Sequence, residues 1–289
     1  MKNTMKKPVN IPVEKLRPFE GHPFKVKDDE EMNTLIESVQ TQGILSPLIV
    51  RPIENTEEYE VISGHRRLHA AVKAGITEVP ALIYALDRDS AAIAVVDSNL
   101  HREHILPSEK AFAYKLKMEA LSHQGKRTDL TSTQPVAKLR TGDIIGETLN
   151  ESRETVRRFI RLTHLIPELL DLMDEGKIAL MVGEALSYLG DEEQYAVLEE
   201  CEMNDCTPSY AQAVEMKKRF QDRQLSAYDI GEILSREKAN QKETIKIPSA
   251  RLAGKIPSGY TLQQKEDFIV KAVDYYNKYR ARQHDRDSR

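Results

Sequence analysis

Two hydrophobic periods divide this chain. Between Asp28 and Gln42, Met32, Leu35, Ile36 and Val39 recur at helical spacing, acids crowd the first turn, and Gly43 stands where a left-handed residue ends a helix. Leu48–Pro52 and Tyr59–Ser63 predict short strands, the second rich in β-branched residues, with Asn55 in the polar turn between them. Ile11–Leu16 predicts a further short strand and Val79–Tyr84 an apolar one. Gly64 opens a helix that runs to about Ala74 and stops at Gly75, and Ser90–Asn99 begins another. Strands alternating with helices indicate a small α/β domain over about residues 11–100.

From Pro107 the pattern is helical throughout. Pro107-Ser108-Glu109 starts a long helix with Phe112, Leu116, Ala120 and Leu121 on its buried face. Residues 124–140 read as a polar loop, 143–165 as helix, and further helices are expected over 166–175, 182–189, 191–200 and 209–221. Residues 222–243 are charged without a clear apolar face and read as a linker with some helix. A small unit then follows, with a strand at Thr244–Ile247, a turn at Pro257-Ser258-Gly259, and an amphipathic helix over Thr261–Tyr279 carrying Leu262, Phe268, Ile269, Ala272, Val273 and Tyr276. The expected layout is an α+β domain over 11–105, an all-α domain over 106–221, a linker, and a strand–helix module over 244–289.

Composition narrows the class. Of 289 residues, 30% are charged and 40% hydrophobic, with a mean hydropathy of -0.53, as in a soluble globular protein. No apolar run approaches the roughly 20 residues of a membrane span. MKNTMKKPVN lacks the apolar stretch of a secretory signal, so an intracellular protein is expected. Cys201 and Cys206 have no neighbouring pair of His or Cys ligands and predict neither a zinc site nor a disulfide framework. A net charge of -4 argues against coating DNA through bulk charge, but leaves local basic patches open.

One such patch lies in the segment Ile145–Arg161, which fits helix-turn-helix geometry. Gly146 falls where two helices cross closely, Ile145 and Leu149 are apolar on the first helix, and Asn150 sits in the turn, where a left-handed backbone is needed. Ser152 is placed to cap the second helix, with Thr155 three residues on; Val156, Phe159 and Ile160 form its buried face. Arg153, Arg157, Arg158 and Arg161 are left pointing outward. With Ser152 and Thr155 they are the candidate DNA contacts, since an arginine at the start of such a helix can pair bidentately with guanine. Arg157 and Arg158 cannot both face one base, so one falls on phosphate. An amphipathic hairpin with solvated arginines is the plainer account of the same residues.

A second candidate is Ile62-Ser63-Gly64-His65-Arg66-Arg67, a strand end, a glycine, and a helix start bearing two arginines. Backbone N–H groups at a glycine-led helix start attract anions, and paired guanidiniums suit a polyphosphate. The lysine of a P-loop is absent. Downstream, Asp97-Ser98-Asn99-Leu100-His101-Arg102-Glu103 offers Asn99 to a metal and Arg102 to a phosphate. Solvated charge at helix ends explains either stretch equally well on its own.

Taken in order, these pieces resemble the ParB partition-protein family over about residues 11–220. The series runs from Ser38-Val39, Gly43 and Ser46-Pro47-Leu48-Ile49-Val50-Arg51 to the Gly-x-Arg-Arg box at Gly64, then Lys73-Ala74-Gly75-Ile76 and Val79-Pro80-Ala81. Asn99–Arg102, Leu106–Ala111 and the helix-turn-helix follow. The resemblance implies a ParB/sulfiredoxin-like N-terminal fold and a cytoplasmic, nucleoid-associated homodimer. Such a dimer binds a palindromic centromere-like site in double-stranded DNA, and a ParA-type ATPase moves it. It also implies CTP with Mg2+, which closes the dimer into a sliding clamp, and slow CTP hydrolysis that reopens it. By position, Gly64, His65, Arg66 and Arg67 fall at the phosphates, Ser46 and Pro47 near the base, Asn99 at the metal and Arg102 at a phosphate. The family usually has glutamate where this chain has His65 and Ser98, which bears on hydrolysis more than on binding. The resemblance also aligns Lys2, Lys6 and Lys7 with a ParA-stimulating stretch, and Arg280, Arg282, Arg286 and Arg289 form a basic tail able to touch DNA nonspecifically.

Two other classes stay open on the sequence. One is a helix-turn-helix transcriptional regulator without a nucleotide switch. The other is a small-molecule phosphotransferase built on the N-terminal fold, with Glu60 or Asp97 as its base; sulfiredoxin-type thiol chemistry is excluded because no cysteine precedes Cys201.

Overall fold

The computed structural model describes residues 7–100, 102, 104–129, 151–236, 252, 254–257 and 259–287. The chain divides into two units, residues 1–236 and 237–289.

The first unit begins with a five-stranded mixed sheet: β1 (Val9–Pro12), β2 (Leu16–Pro18), β3 (Leu48–Pro52), β4 (Tyr59–Ser63) and β5 (Glu78–Ile83), in the order β1-β5-β3-β4-β2. The stretch expected as one strand over Ile11–Leu16 is two. A 3-10 turn at Val13–Lys15 breaks it, so that β1 lies antiparallel on one edge and β2 parallel on the other. Three helices cover this sheet: α1 (Glu30–Gln42), α2 (His65–Lys73) and α3 (Arg88–Asn99). Val61 joins the core beneath α1 and α2, with Met32, Val39, Leu48, Ala70 and Ala71, whereas its neighbour Ile62 joins the core beneath α3, with Ala91, Ala92 and Val95. Both faces of β4 are thus buried, which is why it reads as an uninterrupted apolar run rather than as an alternation. Asp29 caps α1 by accepting a hydrogen bond from the Met32 N–H at 2.8 Å.

The rest of the unit is helical: α4 (Pro107–Asp129), α5 (Arg153–Leu162), α6 (Pro167–Asp174), α7 (Leu180–Leu186), α8 (Asp191–Met203), α9 (Tyr210–Gln221) and α10 (Ala227–Ser235). Their shared core includes Tyr114, Phe159, Leu162, Leu169, Leu186, Val197 and Met216. Gln194 lies fully buried in it, accepting from the Ile166 N–H and donating to the carbonyls of His164 and Leu189 at 2.9–3.1 Å, so its amide is satisfied.

Several boundaries differ from expectation, and two of them change the layout. α4 runs on to Asp129, into the stretch read as loop. The linker expected from residue 222 contains α10, whose Ile230, Ile233 and Leu234 are buried in the same core. Its apolar face spans only two turns between charged flanks, and Ser226 and Asp229 form a capping box at its start. The expected segment 143–150, with Ile145, Gly146, Leu149 and Asn150, lies outside the described residues, as do 130–140, Thr244–Ile247, Ser258, His101 and Glu103.

In the second unit, α11 (Leu262–Asp287) is longer than expected. Val270, Val273, Tyr275, Tyr276 and Tyr279 are exposed along it, and Phe268 packs edge-on against Tyr260. Neither Cys201 nor Cys206 is in a disulfide.

Candidate functional site: an arginine cradle and a DNA-reading helix

The cradle forms where β4 gives way to α2. Gly64 makes the turn at φ 107° and ψ 22°, a left-handed conformation. A Cβ there would stand 3.1 Å from both Leu48 Cγ and Arg67 Nη2, so a side chain would press on both in addition to the backbone strain. Arg67 Nη1 donates to the Pro47 carbonyl at 3.0 Å and to that of Ser46, bringing Ser46, Pro47, Gly64 and Arg67 together as the sequence anticipates. Arg66 reaches Asp29 at 3.4 Å and Glu31 at 3.2 Å at the start of α1. Arg102 lies over the Phe24 ring, 5.6 Å from its centroid.

Burial holds Arg67 below the usual arginine range. It does the same to Arg102, with Glu109 opposing the shift and the charge of Arg66 adding to it. Guanidiniums crowded and partly desolvated in this way are stabilised by an arriving anion, and the amide-rich start of α2 adds to the field.

His65 is not directed at solvent. Its ring lies against His22, with centroids 3.7 Å apart, and Nε2 accepts from the Phe19 N–H at 3.5 Å. Its pKa is pushed down to about 3, by burial first and then by the charges of His22 and Arg102. His65 is therefore a neutral support under the cradle. Asn99 is buried at the end of α3, with Nδ2 donating to the Val95 carbonyl at 2.8 Å and to Ser98 Oγ at 3.2 Å, which leaves its amide oxygen as the atom a metal would meet.

Sequence reasoning does not mark His22, because it meets His65 across 43 residues and no spacing rule links them. It sits in a short connecting segment. Next to it, the Lys25 N–H donates to Glu109 at the start of α4 (2.8 Å), and Lys25 Nζ lies 3.3 Å from Asp171 and 3.6 Å from Asp174 on α6. Residues 22–25 thus tie the cradle to the helical bundle.

The two carboxylates considered as kinase bases are both occupied. Glu60 is buried, 2.6 Å from Arg51 and accepting from the Glu20 N–H; Asp97 pairs with the buried Lys117 at 2.6 Å. Glu60 is thus engaged through both oxygens and poorly placed to take a proton, whereas Asp97 is engaged through Oδ1 only.

α5 carries the DNA-reading candidates. Ser152 Oγ accepts from the Thr155 N–H at 3.1 Å and caps the helix as expected. Glu151 accepts from the Tyr114 hydroxyl at 2.8 Å and pairs with Lys110, fixing the entry to α5 on α4. Val156, Phe159 and Leu162 are buried, with Ile160 half-buried. Ser152, Arg153 and Arg157 are exposed and Thr155 is half-exposed. Two arginines expected to point outward do not. Arg158 is half-buried, 3.6 Å from Glu184 on α7. Arg161 is half-buried as well, donating to the Ser187 carbonyl at 2.7 Å and to its hydroxyl at 3.3 Å, and lying 4.2 Å from the Tyr188 centroid. Both stand on the side of α5 turned toward α7 and stay partly exposed there.

Residues 1–100 match the model of the ParB N-terminal domain. The chromosome-partitioning protein Spo0J of Thermus thermophilus is 33% identical over 193 residues, 66% of this chain and 64% of that protein. A nucleoid occlusion protein of Geobacillus thermodenitrificans is 32% identical over 64% of this chain and 59% of its own. The chain therefore spans under two thirds of the length of these curated relatives. Among solved structures, the C-terminally truncated chromosome-partitioning protein ParB of Caulobacter crescentus complexed with CTP-gamma-S is 26% identical, with 67% of this chain and 97% of that one covered and a TM-score of 0.31.

Proposed function

We propose that this chain, whose residues 1–100 match the ParB N-terminal domain and which is similar to the chromosome-partitioning protein Spo0J, is a DNA-binding partition protein whose grip on DNA is controlled by a nucleotide, CTP, bound at the Gly64 cradle. The observation that carries the reading is the convergence of Gly64, Arg66, Arg67 and Arg102, where a Cβ at the turn would crowd Leu48 and Arg67 and where burial partly desolvates Arg67 and Arg102, so that the site favours negative charge. A triphosphate supplies that charge. The Arg67 link to the Ser46 and Pro47 carbonyls supports a position for those residues at the rim, near the base. Arg66 would exchange its contacts with Asp29 and Glu31 for phosphate oxygens. Mg2+ usually keeps several waters and takes its negative charge from one or two carboxylates and the substrate phosphates; Asn99 would offer it a neutral amide oxygen, and the phosphates would supply the charge.

On the DNA side, Arg157 is the proposed base reader, with Ser152, Arg153 and Thr155 around it at the exposed start of α5. The Lys25 segment gives the nucleotide a route to the bundle that carries α5. Homodimerisation through the exposed apolar residues of α11, a palindromic site, and a ParA-type ATPase complete the proposal. A regulator without a nucleotide switch is the second reading, favoured only by His65 and Ser98 standing where acids are usual.

Genome-wide pull-down of DNA crosslinked to the protein tests the clamp. A sharp peak with broad flanks is expected from loading followed by sliding. An isolated narrow peak would leave only the plain regulator.

A further inference from the structure

α7 and α9 enclose a groove of about 230 Å³ lined by Met181, Ala185, Tyr210, Val214, Lys217 and Lys218, among others. Tyr188 stands beside it. Lys217 Nζ lies 3.4 Å from the Tyr188 ring centroid, and Arg161, reaching over from α5, lies 4.2 Å from the same centroid. Two cations brought to one ring raise the local positive potential, which favours an anion nearby. Neither moves away freely, because Arg161 is fixed to Ser187 by two hydrogen bonds and Lys217 is seated on the aromatic face. The carboxylate that lines the groove, Glu184, is 3.6 Å from Arg158, so its charge is already answered. His164, just past α5, is held below its ordinary pKa by burial first and then by the charges of Arg161 and Lys115.

We propose that this groove is a second DNA contact, taking backbone phosphates of the duplex whose bases α5 reads, with Arg161, Lys217 and Lys218 as its cations. The assignment rests on the DNA reading of α5 and extends it. Duplex phosphate is favoured over an acidic peptide by continuity: Arg158 leaves the same helix that presents Arg157 and reaches Glu184 on the wall of this groove, and Arg161 from that helix reaches Ser187 and Tyr188 beside it. Exposed Tyr210 and Val214 offer apolar surface for the sugars between phosphates. Arg161 thereby acquires a role different from base reading, as a fixed cation joining the two surfaces.

The test is fluorescence anisotropy of the full chain, with a random-sequence duplex of roughly 20 base pairs, between about 50 and 200 mM salt. The double variant Lys217→Gln/Lys218→Gln is expected to bind random and site-bearing duplexes more weakly by the same factor. Its slope of log affinity against log salt should be shallower by about 0.9 for each phosphate that is no longer neutralised. Lys217→Arg/Lys218→Arg should restore both, and an unchanged melting temperature shows that the weakening is not unfolding. An unaltered slope and affinity would overturn the groove assignment while leaving α5 intact. A variant that keeps its duplex slope but fails to bind a polyglutamate peptide that the native chain binds would place an acidic protein partner in the groove and overturn the DNA assignment. A native chain without affinity for any duplex would sink the DNA reading itself.

Discussion

His65 offers a test of the cradle that needs no ligand. In the fold its pKa is about 3, against 6.5 for an ordinary histidine, chiefly through burial and then through His22 and Arg102. The folded value lies below the unfolded one. As pH falls through about 6.5, the unfolded chain therefore takes up a proton that the native chain refuses, and stability drops until about pH 3. The loss is about 1.4 kcal/mol per pH unit inside that window, and from about pH 7.5 to 4.5 it integrates to roughly 2.7 kcal/mol. That is a large share of a total of roughly 5–15 kcal/mol. Carboxylates titrate over part of the same range, so the measurement is a difference. Urea unfolding of the native chain and of His65→Gln is compared at both pH values, because glutamine keeps a polar, uncharged side chain throughout. The variant is expected to be less stable at the higher pH yet to lose roughly 2.7 kcal/mol less on acidification. Equal losses in the two proteins would refute the buried neutral imidazole, and with it the view of His65 as a support beneath Gly64.

Two further outcomes follow from the geometry. Gly64→Ala should weaken nucleotide binding far more than it lowers stability: the left-handed backbone costs about 1 kcal/mol, whereas the new methyl pushes on Leu48 and on the Arg67 guanidinium that faces the ligand. Calorimetric binding alongside thermal melting separates the two effects, and a stable variant with native affinity would contradict the cradle. Arg157→Ala should cost about 1–3 kcal/mol at the specific site and little on random DNA, measured as a ratio of affinities; an unchanged ratio moves Arg157 to phosphate or solvent.

The strands β3 and β4 were legible to the residue because their apolar runs end at polar or proline neighbours. The helix start at Ser152 was legible because capping is a local signal, whereas α1, read from Asp28, begins at Glu30 with Asp29 as its cap. The break at Val13–Lys15 was not, since it is set by which sheet edge each half joins, the Thr77 carbonyl accepting from the Val13 N–H in between. α10 escaped because its three buried residues look like scattered apolar positions until the bundle surrounds them. Within the site, Gly64, Arg66, Arg67 and Asn99 follow from local pattern. The burial of His65 and its contact with His22 depend on a pairing distant in sequence. The inward turn of Arg158 and Arg161 depends on α7, which a helical wheel of α5 alone does not contain.

The central claim is that a nucleotide held at Gly64 and its arginines controls DNA binding. Its most direct test is calorimetric titration of the full chain with ATP, GTP, CTP and UTP in Mg2+, with and without a duplex carrying the site found by pull-down. The account predicts binding of CTP alone among the four, strengthened by the duplex and abolished in Arg67→Ala. Failure of all four nucleotides to bind with that duplex present, or undiminished CTP binding by Arg67→Ala, would contradict it.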